Sequence, residues 1–181
     1  MKLMLASDIH GSAKWCAAML DAWKAEAPER LVLLGDLLYH GPRNDLPEDY
    51  APKRVIDMLN GVAAELLCVR GNCEAEVDQM VLNFPVMADF AVLYADGRAI
   101  YATHGHAHNE DNPPPLKPGD LLLCGHTHVP CFRRHEGFSF ANPGSVSIPK
   151  QDTPHSYATL EGGELLWKDL ATGAVFLRAR I

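Results

Sequence analysis

Short apolar runs that end in a glycine or a polar side chain recur along the chain. Four of them have the length and apolar content of buried strands: residues 2–7, 30–34, 64–69 and 120–124. Between the first two runs, apolar residues at helical spacing follow Ser12, which can cap a helix that ends near Ala27. The opening therefore predicts a strand, a helix and a second strand in a β-α-β unit.

The connection over residues 35–52 is rich in turn formers, and a loop of this length inside a compact domain is usually functional. Pro52 is typical of the first position of a helix, and the helix it begins should end before Gly61. The acidic segment over residues 74–82 predicts a further short helix.

The second half of the chain has the pattern of strands joined by tight turns. Residues 90–95 and 98–103 flank Asp96-Gly97, a dipeptide typical of a two-residue hairpin turn. From Val129 onward we expect antiparallel strands, with residues 140–146 as a loop between two of them. Their turns are expected at Glu136-Gly137, Glu161-Gly162-Gly163 and Thr172-Gly173.

The composition indicates a single globular domain over residues 1–181, because 48% of the 181 residues are hydrophobic. The formal net charge of -7 argues against a protein that binds nucleic acid through a broad basic surface. The five cysteines lack C-x-x-C spacing, and no segment approaches the roughly 20 apolar residues of a membrane helix. We therefore expect a soluble, cytoplasmic protein without a membrane or nucleic-acid partner.

Chemically active side chains follow five of the predicted strands, at the ends where ligands bind in open α/β sheets. The set contains two carboxylates, one amide and four imidazoles: Asp8, His10, Asp36, Asn72, His104, His126 and His128. Mixed nitrogen and oxygen donors suit Mn, Fe, Zn, Co or Ni better than Ca or Mg. So many donors exceed the need of one catalytic ion, but they suit two ions that share a carboxylate, for which Asp36 is the candidate.

The motifs that carry these residues resemble, in order, the signature blocks of the calcineurin-like metallophosphoesterases. The blocks are Asp8-Ile9-His10, Gly35-Asp36 with His40-Gly41-Pro42, Gly71-Asn72-Cys73-Glu74, Thr103-His104-Gly105-His106 and Gly125-His126-Thr127-His128. The short chain and residues 41–44 and 142–145 are most similar to small bacterial phosphodiesterases of that superfamily. The resemblance implies an α/β fold, a four-layer α/β/β/α sandwich of two mixed β-sheets flanked by helices, with metal ions at one edge of the sheets.

The resemblance also implies how the ligands divide between two divalent ions. One ion would be held by Asp8, His10 and His128, the other by Asn72, His104 and His126, and both by Asp36. The implied enzyme is a phosphodiesterase that hydrolyses a small phosphodiester by in-line attack of a metal-bridging hydroxide. Manganese is the expected metal, with Zn2+, Fe2+, Ni2+ and Co2+ as alternatives, because affinity order and cellular supply both decide the occupant.

The expected catalytic residues are Asp36, Asn72, Cys73 and His106. Many relatives carry histidine at the position of Cys73, and a thiol of ordinary pKa is a poor proton donor at neutral pH. We therefore expect either a preference for esters with good leaving groups or help with the proton from His40 or His106.

Arg43 and Asn44 follow a Gly-Pro turn in the long connection. Together with His40 they are candidates for contact with the phosphate or the leaving group of the substrate, and a loop-anchoring role is the alternative for the first two. The expected partner is a small-molecule phosphodiester, and the family resemblance also suggests a homo-oligomer.

Three other functions are compatible with these motifs. A non-catalytic interaction scaffold on the same fold is compatible with the missing histidine at position 73, although an intact ligand set weighs against it. A phosphomonoesterase would need an additional cation near the metals, which Arg43 can provide. A DNA nuclease of the same superfamily usually has a further domain and a basic surface, and neither is evident in this chain.

Overall fold

The computed structural model describes residues 1–181, which form eleven strands and three α-helices. The strands are β1 (Lys2–Ala6), β2 (Arg30–Leu33), β3 (Leu66–Cys68), β4 (Phe90–Ala95), β5 (Arg98–Thr103), β6 (Asp120–Leu123), β7 (Cys131–Arg134), β8 (Phe138–Asn142), β9 (Ser156–Glu161), β10 (Glu164–Asp169) and β11 (Val175–Arg180). The α-helices are α1 (Ala13–Glu26), α2 (Pro52–Asn60) and α3 (Glu76–Gln79), and a 3-10 turn spans Ala63–Glu65. None of these helices has the length and apolar character that crossing a bilayer requires.

The strands form two mixed β-sheets, as the family resemblance implies. The first has the order β11-β10-β9-β1-β2-β3, and its β1, β2 and β3 run parallel. The second has the order β4-β5-β6-β8-β7, and its β5, β6 and β8 run parallel. Because ligands bind beyond the carboxyl ends of parallel strands, these six strands define where a site is expected.

The core lies between the two sheets and between the first sheet and its helices. In β1, Leu3 and Leu5 face the second sheet, whereas Met4 packs with residues of α1 and α2. The strand is therefore buried on both faces, which explains why it is a continuous apolar run without polar alternation. Between the sheets, the fully buried Trp167 donates its Nε1–H to the carbonyl oxygen of Asn142 at 2.7 Å.

Part of the outer face of the second sheet is covered by an irregular segment, where the four-layer sandwich would place helices. Leu122, Cys124 and Phe140 form a small apolar cluster on this face. Leu116, from the connection between β5 and β6, packs against the cluster. The predicted sandwich is thus present, with a helical layer on the first sheet and a loop as its fourth layer.

The predicted helices begin where the sequence places them. The Oγ atom of Ser12 accepts the N–H of Trp15 at 3.4 Å and so caps α1, which ends before Ala27. The second helix, α2, begins at Pro52 and ends before Gly61.

Three predicted boundaries are wrong. The run 64–69 starts in the 3-10 turn, and only Leu66–Cys68 pair with β2. The helix expected over 74–82 shortens to α3, because the side chain of Gln79 bonds to the backbone of the loop that follows. Of the loop expected over 140–146, the first three residues belong to β8, which pairs parallel with β6 since both strands are buried.

Candidate metal centre

The structure brings the polar side chains that follow the parallel strands into one cluster. Its members are Asp8 and His10 after β1, Asp36 after β2, Asn72 after β3, His104 after β5, and His126 and His128 after β6. Five of them are buried, whereas Asn72 is exposed and His126 is partly exposed. The cluster therefore has a buried floor and one open side.

Three donor atoms form a first group inside the cluster. The Nε2 atoms of His10 and His128 are 3.3 Å apart. The Oδ1 atom of Asp8 lies 3.3 Å from Nε2 of His128 and 3.6 Å from Nε2 of His10.

A second group lies beside the first, and Asp36 stands between them. Nε2 of His104 is 3.0 Å from Oδ1 of Asn72 and 3.2 Å from Nδ1 of His126. Oδ2 of Asp36 is 3.5 Å from Nε2 of His104 and 3.7 Å from Nε2 of His10. One carboxylate oxygen is thus at similar distance from both groups, which is the geometry of a bridging ligand.

The cluster fits a pair of cations better than a hydrogen-bonded network. Two donors that each lie about 2.1 Å from one ion are about 3.0 to 3.4 Å apart for bond angles between 90° and the tetrahedral value. The separations inside both groups fall in or near this range. Oδ1 of Asp8 is moreover fully buried without a hydrogen-bond partner, a costly state that a bound cation would relieve.

Backbone carbonyl groups orient three of the imidazoles. The Nδ1 atoms of His10, His104 and His128 contact the carbonyl oxygens of Tyr39, Leu34 and Ile148 at 2.7, 2.6 and 2.6 Å. A proton on Nδ1 can donate to each carbonyl oxygen, and in the neutral ring Nε2 then presents its lone pair to the cluster. His126 differs, because its Nδ1 faces the cluster.

The charges in the cluster favour an ionised Asp8. Burial raises the pKa of this carboxyl group, but the side chains of His10 and His128 outweigh burial and hold the pKa well below its ordinary value. At His126 the pKa is lowered by burial and by the neighbouring His104, so its ring is neutral near pH 7. Ionised carboxylates and neutral imidazoles are the states in which these groups bind metals.

The backbone is strained where it carries the donors. Asp8, His10, Asp36, His126 and His128 have φ values of 60°, 48°, 57°, 66° and 63°, in the left-handed region. Residues other than glycine rarely adopt this conformation, and it persists only where the surrounding structure imposes it. Strain concentrated on five of the seven predicted ligands points to a functional site.

Two glycines allow the strand ends to approach each other. A Cβ atom at Gly71 would overlap Oδ1 of Asp36, and one at Gly125 would overlap the Oγ atom of Ser7. These glycines belong to the motifs that precede Asn72, His126 and His128. Their role is to bring the ligands of neighbouring strands within reach of one another.

Glu74 binds the backbone around Asp36, the candidate bridging residue, and it is a site residue that the sequence alone does not indicate. Its Oε2 accepts the N–H groups of Asp36 at 2.9 Å and Gly71 at 2.5 Å, and its Oε1 accepts the N–H of Leu37 at 2.7 Å. Burial and the nearby charge of Asp36 raise the pKa of this carboxyl group. The available signal was its place in the Gly-Asn-Cys-Glu block.

A cavity of about 440 Å³ opens in front of the cluster. Its lining consists of His10, Asp36, Gly41, Pro42, Arg43, Asn44, Asn72, Cys73, His126, Thr127, His128 and Lys150. The predicted substrate-binding residues Arg43 and Asn44 are therefore at the cavity. The sequence does not indicate Lys150 as a site residue, because no motif surrounds it.

Two of the predicted catalytic and substrate-binding residues do not line this cavity. The ring of His40 packs edge-on against Tyr39 and Tyr50, with centroids 4.7 and 5.3 Å away, so the structure does not bring it to the substrate space. His106 is exposed, and its ring centroid lies 5.4 Å from that of His104. It flanks the second group of donors and stays outside the cavity wall.

Two mixed sheets that gather such a donor set at the ends of their parallel strands define a metallophosphoesterase. The chain belongs to the calcineurin-like phosphoesterase superfamily, whose domain it matches over residues 1–164. It is 48% identical over 166 residues to phosphodiesterase YfcE of Escherichia coli K12, a match that covers 91% of this chain and 90% of that protein.

Solved structures support the same assignment. The structure of YfcE, a phosphoesterase from E. coli, superposes with a TM-score of 0.97 at 43% identity and covers 100% of both chains. Wild-type Vps29 of Entamoeba histolytica, solved in complex with zinc, superposes with a TM-score of 0.64 at 22% identity and covers 99% of both chains. The second likeness extends to the fold alone.

Proposed function

We propose that this protein is a phosphodiesterase that uses two divalent metal ions to hydrolyse a small-molecule phosphodiester. The observation that carries the proposal is the position of Asp36 Oδ2, 3.5 Å from one histidine nitrogen and 3.7 Å from another in the neighbouring group. The 48% identity to phosphodiesterase YfcE supports the same reaction. A scaffold function is not favoured, since the donor set is complete.

The proposed ligands divide between two ions, in line with the two groups of donor atoms. One ion would be held by Asp8, His10 and His128, the other by Asn72, His104 and His126, and both by Asp36. When bound, such ions polarise the phosphoryl oxygens and supply a nucleophile at neutral pH. Because the donors combine imidazole nitrogen with carboxylate oxygen, Mn2+ is the proposed occupant, and Zn2+, Fe2+, Ni2+ and Co2+ are chemically compatible.

Arg43 and Asn44 are proposed to orient the substrate. They lie in the segment 41–44, where the side chain of Asn44 donates to the carbonyl oxygen of His40 at 2.8 Å and so stabilises the turn. The guanidinium group of Arg43 is exposed at the cavity and can donate to phosphate oxygens in a fork geometry. His40 contributes through its carbonyl group to the shape of this segment.

The chain offers little acid catalysis for the leaving group. Burial and the charge of Asp36 raise the pKa of the Cys73 thiol, and a thiol brings no positive charge to the leaving oxygen. Burial and His104 lower the pKa of His106, so its ring is neutral at pH 7 and lacks the acidic proton of an imidazolium. Substrates whose leaving oxygen needs no proton, such as aryl esters, are therefore expected to react fastest.

We also propose a cytoplasmic location and self-association, each from a separate observation. All five cysteines are free, which fits a reducing compartment such as the cytoplasm. Self-association would cover the exposed side chains of Phe90, Val92 and Tyr94 on the edge strand β4. Light scattering of the purified protein measures the assembly directly.

The proposed function is tested by metal-dependent turnover. Purified protein stripped of metal should hydrolyse bis(4-nitrophenyl) phosphate only after addition of Mn2+ or another of the named ions. Asp36→Asn should lower the rate at least about hundredfold, because it removes a charge from the bridging position. Asp45→Asn, an exposed change in the same long connection, should leave it unchanged. Absence of turnover with every ion would contradict the proposal.

A further inference from the structure

The cavity in front of the donors carries two cations without a carboxylate partner. Among its charged lining residues, Asp36 is buried, whereas Arg43 and Lys150 are exposed. Neither cation takes part in an ion pair, although most other basic side chains of this protein do. On a chain of net charge -7, two unpaired cations at one opening form a local anion-attracting surface.

The backbone holds Lys150 beside the donor cluster. Its N–H donates to the carbonyl oxygen of His128 at 3.3 Å, and its own carbonyl oxygen accepts the hydroxyl of Thr153 at 2.7 Å. The next two residues, Gln151 and Asp152, both have φ values of 55°, a conformation that the surrounding contacts must impose. The Cα atom of Lys150 is thus fixed relative to His128, while its side chain is free to meet a ligand.

A neighbouring cavity has the opposite charge. It measures about 300 Å³ and shares His126 and Thr127 with the first cavity. Its lining includes Glu110 and Asp111, and its one cation, Arg133, is already paired with Glu110 at 2.5 Å. An anionic part of a substrate is therefore directed away from this second cavity and towards Lys150.

From this arrangement we infer that Lys150 binds an anionic substituent of the substrate. The preferred substrates are then phosphodiesters that carry a second negative charge, such as a carboxylate or a phosphate, on a short polar alcohol. The inference rests on the proposed function, which places the scissile phosphoryl group at the buried donors. Because Lys150 is exposed, it meets the part of the substrate that extends outward from them.

The test uses two substrates of similar length, of which only one carries that charge. Both are 4-nitrophenyl diesters, one of 2-carboxyethyl phosphate and one of 3-hydroxypropyl phosphate, so the leaving group is the same. Wild-type protein should prefer the carboxylate substrate by about tenfold in kcat/KM, the size expected for one solvent-exposed charge contact of about 1.4 kcal/mol. Lys150→Gln should abolish this preference and change turnover of the hydroxyl substrate less than about twofold, and Lys150→Arg should retain it.

Product binding gives a readout that does not depend on turnover. Calorimetry should show that Lys150→Gln weakens binding of 2-carboxyethyl phosphate about tenfold and leaves binding of 3-hydroxypropyl phosphate nearly unchanged. Lys53→Gln in α2, which removes an exposed and unpaired lysine outside the cavity, is the matched control.

Three results would overturn the inference. One is equal turnover of the two substrates by the wild-type protein. Another is an equal loss on both substrates in Lys150→Gln. The third is a larger loss on the monoester 4-nitrophenyl phosphate than on the carboxylate diester, which would place Lys150 at the scissile phosphoryl group. Failure of the proposed function is distinguishable, because it would abolish turnover of every substrate by the wild-type protein.

Discussion

The Oε2 atom of Glu74 accepts the backbone N–H of Asp36 at 2.9 Å, so one buried carboxylate fixes the position of the other. Asp36 has a left-handed backbone, with φ 57°, and its Oδ1 accepts the N–H of Cys73 at 2.9 Å. These contacts leave Oδ2 directed at the two histidine nitrogens. The geometry of the candidate metal centre therefore depends on a residue that contacts none of the predicted metal-bound atoms.

Glu74→Gln should weaken metal binding about 10- to 100-fold while the protein still folds. Both carboxylate oxygens of Glu74 accept backbone N–H groups, and the amide nitrogen of glutamine cannot accept one. The free energy of unfolding should fall by about 1 to 3 kcal/mol, because a buried donor is left unpaired. Calorimetric titration with Mn2+ and denaturant unfolding measure the two effects.

Glu76→Gln is the control for that change, because Glu76 is exposed at the start of α3. It should alter neither quantity. Unchanged metal affinity in Glu74→Gln would show that the backbone contacts of Glu74 do not set the position of Asp36.

The half-buried carboxylate of Glu26 links α1 to the first sheet and should make stability depend on acid pH. It pairs with Lys168, accepts from Lys2 at 2.7 Å and accepts the hydroxyl of Tyr157 at 2.9 Å. Burial raises the pKa of Glu26, but these partners outweigh burial and lower the pKa from 4.5 to about 2.

Because the folded pKa lies below the unfolded one, this contribution is complete above pH 4.5 and declines as the pH falls towards 2. Glu26→Gln should therefore cost on the order of 2 kcal/mol at pH 7 and progressively less in acid. Unfolding curves between pH 2 and 7 test this, with the exposed Glu136→Gln as the control. A difference from wild type that stays constant over this range would contradict the assigned pairing.

Cys73→His should change which esters react well. An imidazole at this position can donate a proton to the leaving oxygen, whereas the Cys73 thiol, with its raised pKa, cannot. Alkyl diesters need that proton more than aryl diesters do, so the ratio of alkyl to aryl turnover should rise by about tenfold or more. Rates on matched alkyl and aryl esters measure the ratio, and an unchanged value would argue against a role for position 73 in proton transfer.

The sequence identifies the residues that the fold gathers into one cluster, because each follows an apolar strand and stands in a short motif with glycine. It does not identify Glu74 or Lys150, because their roles come from contacts made only in the folded chain, with the backbone of Asp36 and of His128. His40 shows the converse, since it lies in a motif but its ring packs on Tyr50. Motif spacing records which residues are present, while tertiary packing decides where each side chain points.

The central claim is that two ions share the carboxylate of Asp36. The metal content of the purified protein tests this claim most directly. Elemental analysis after loading and desalting should find two divalent ions per wild-type chain, one or none in Asp36→Ala, and two in the exposed control Asp45→Ala. A single ion in the wild-type protein, or two ions retained in Asp36→Ala, would contradict the shared site.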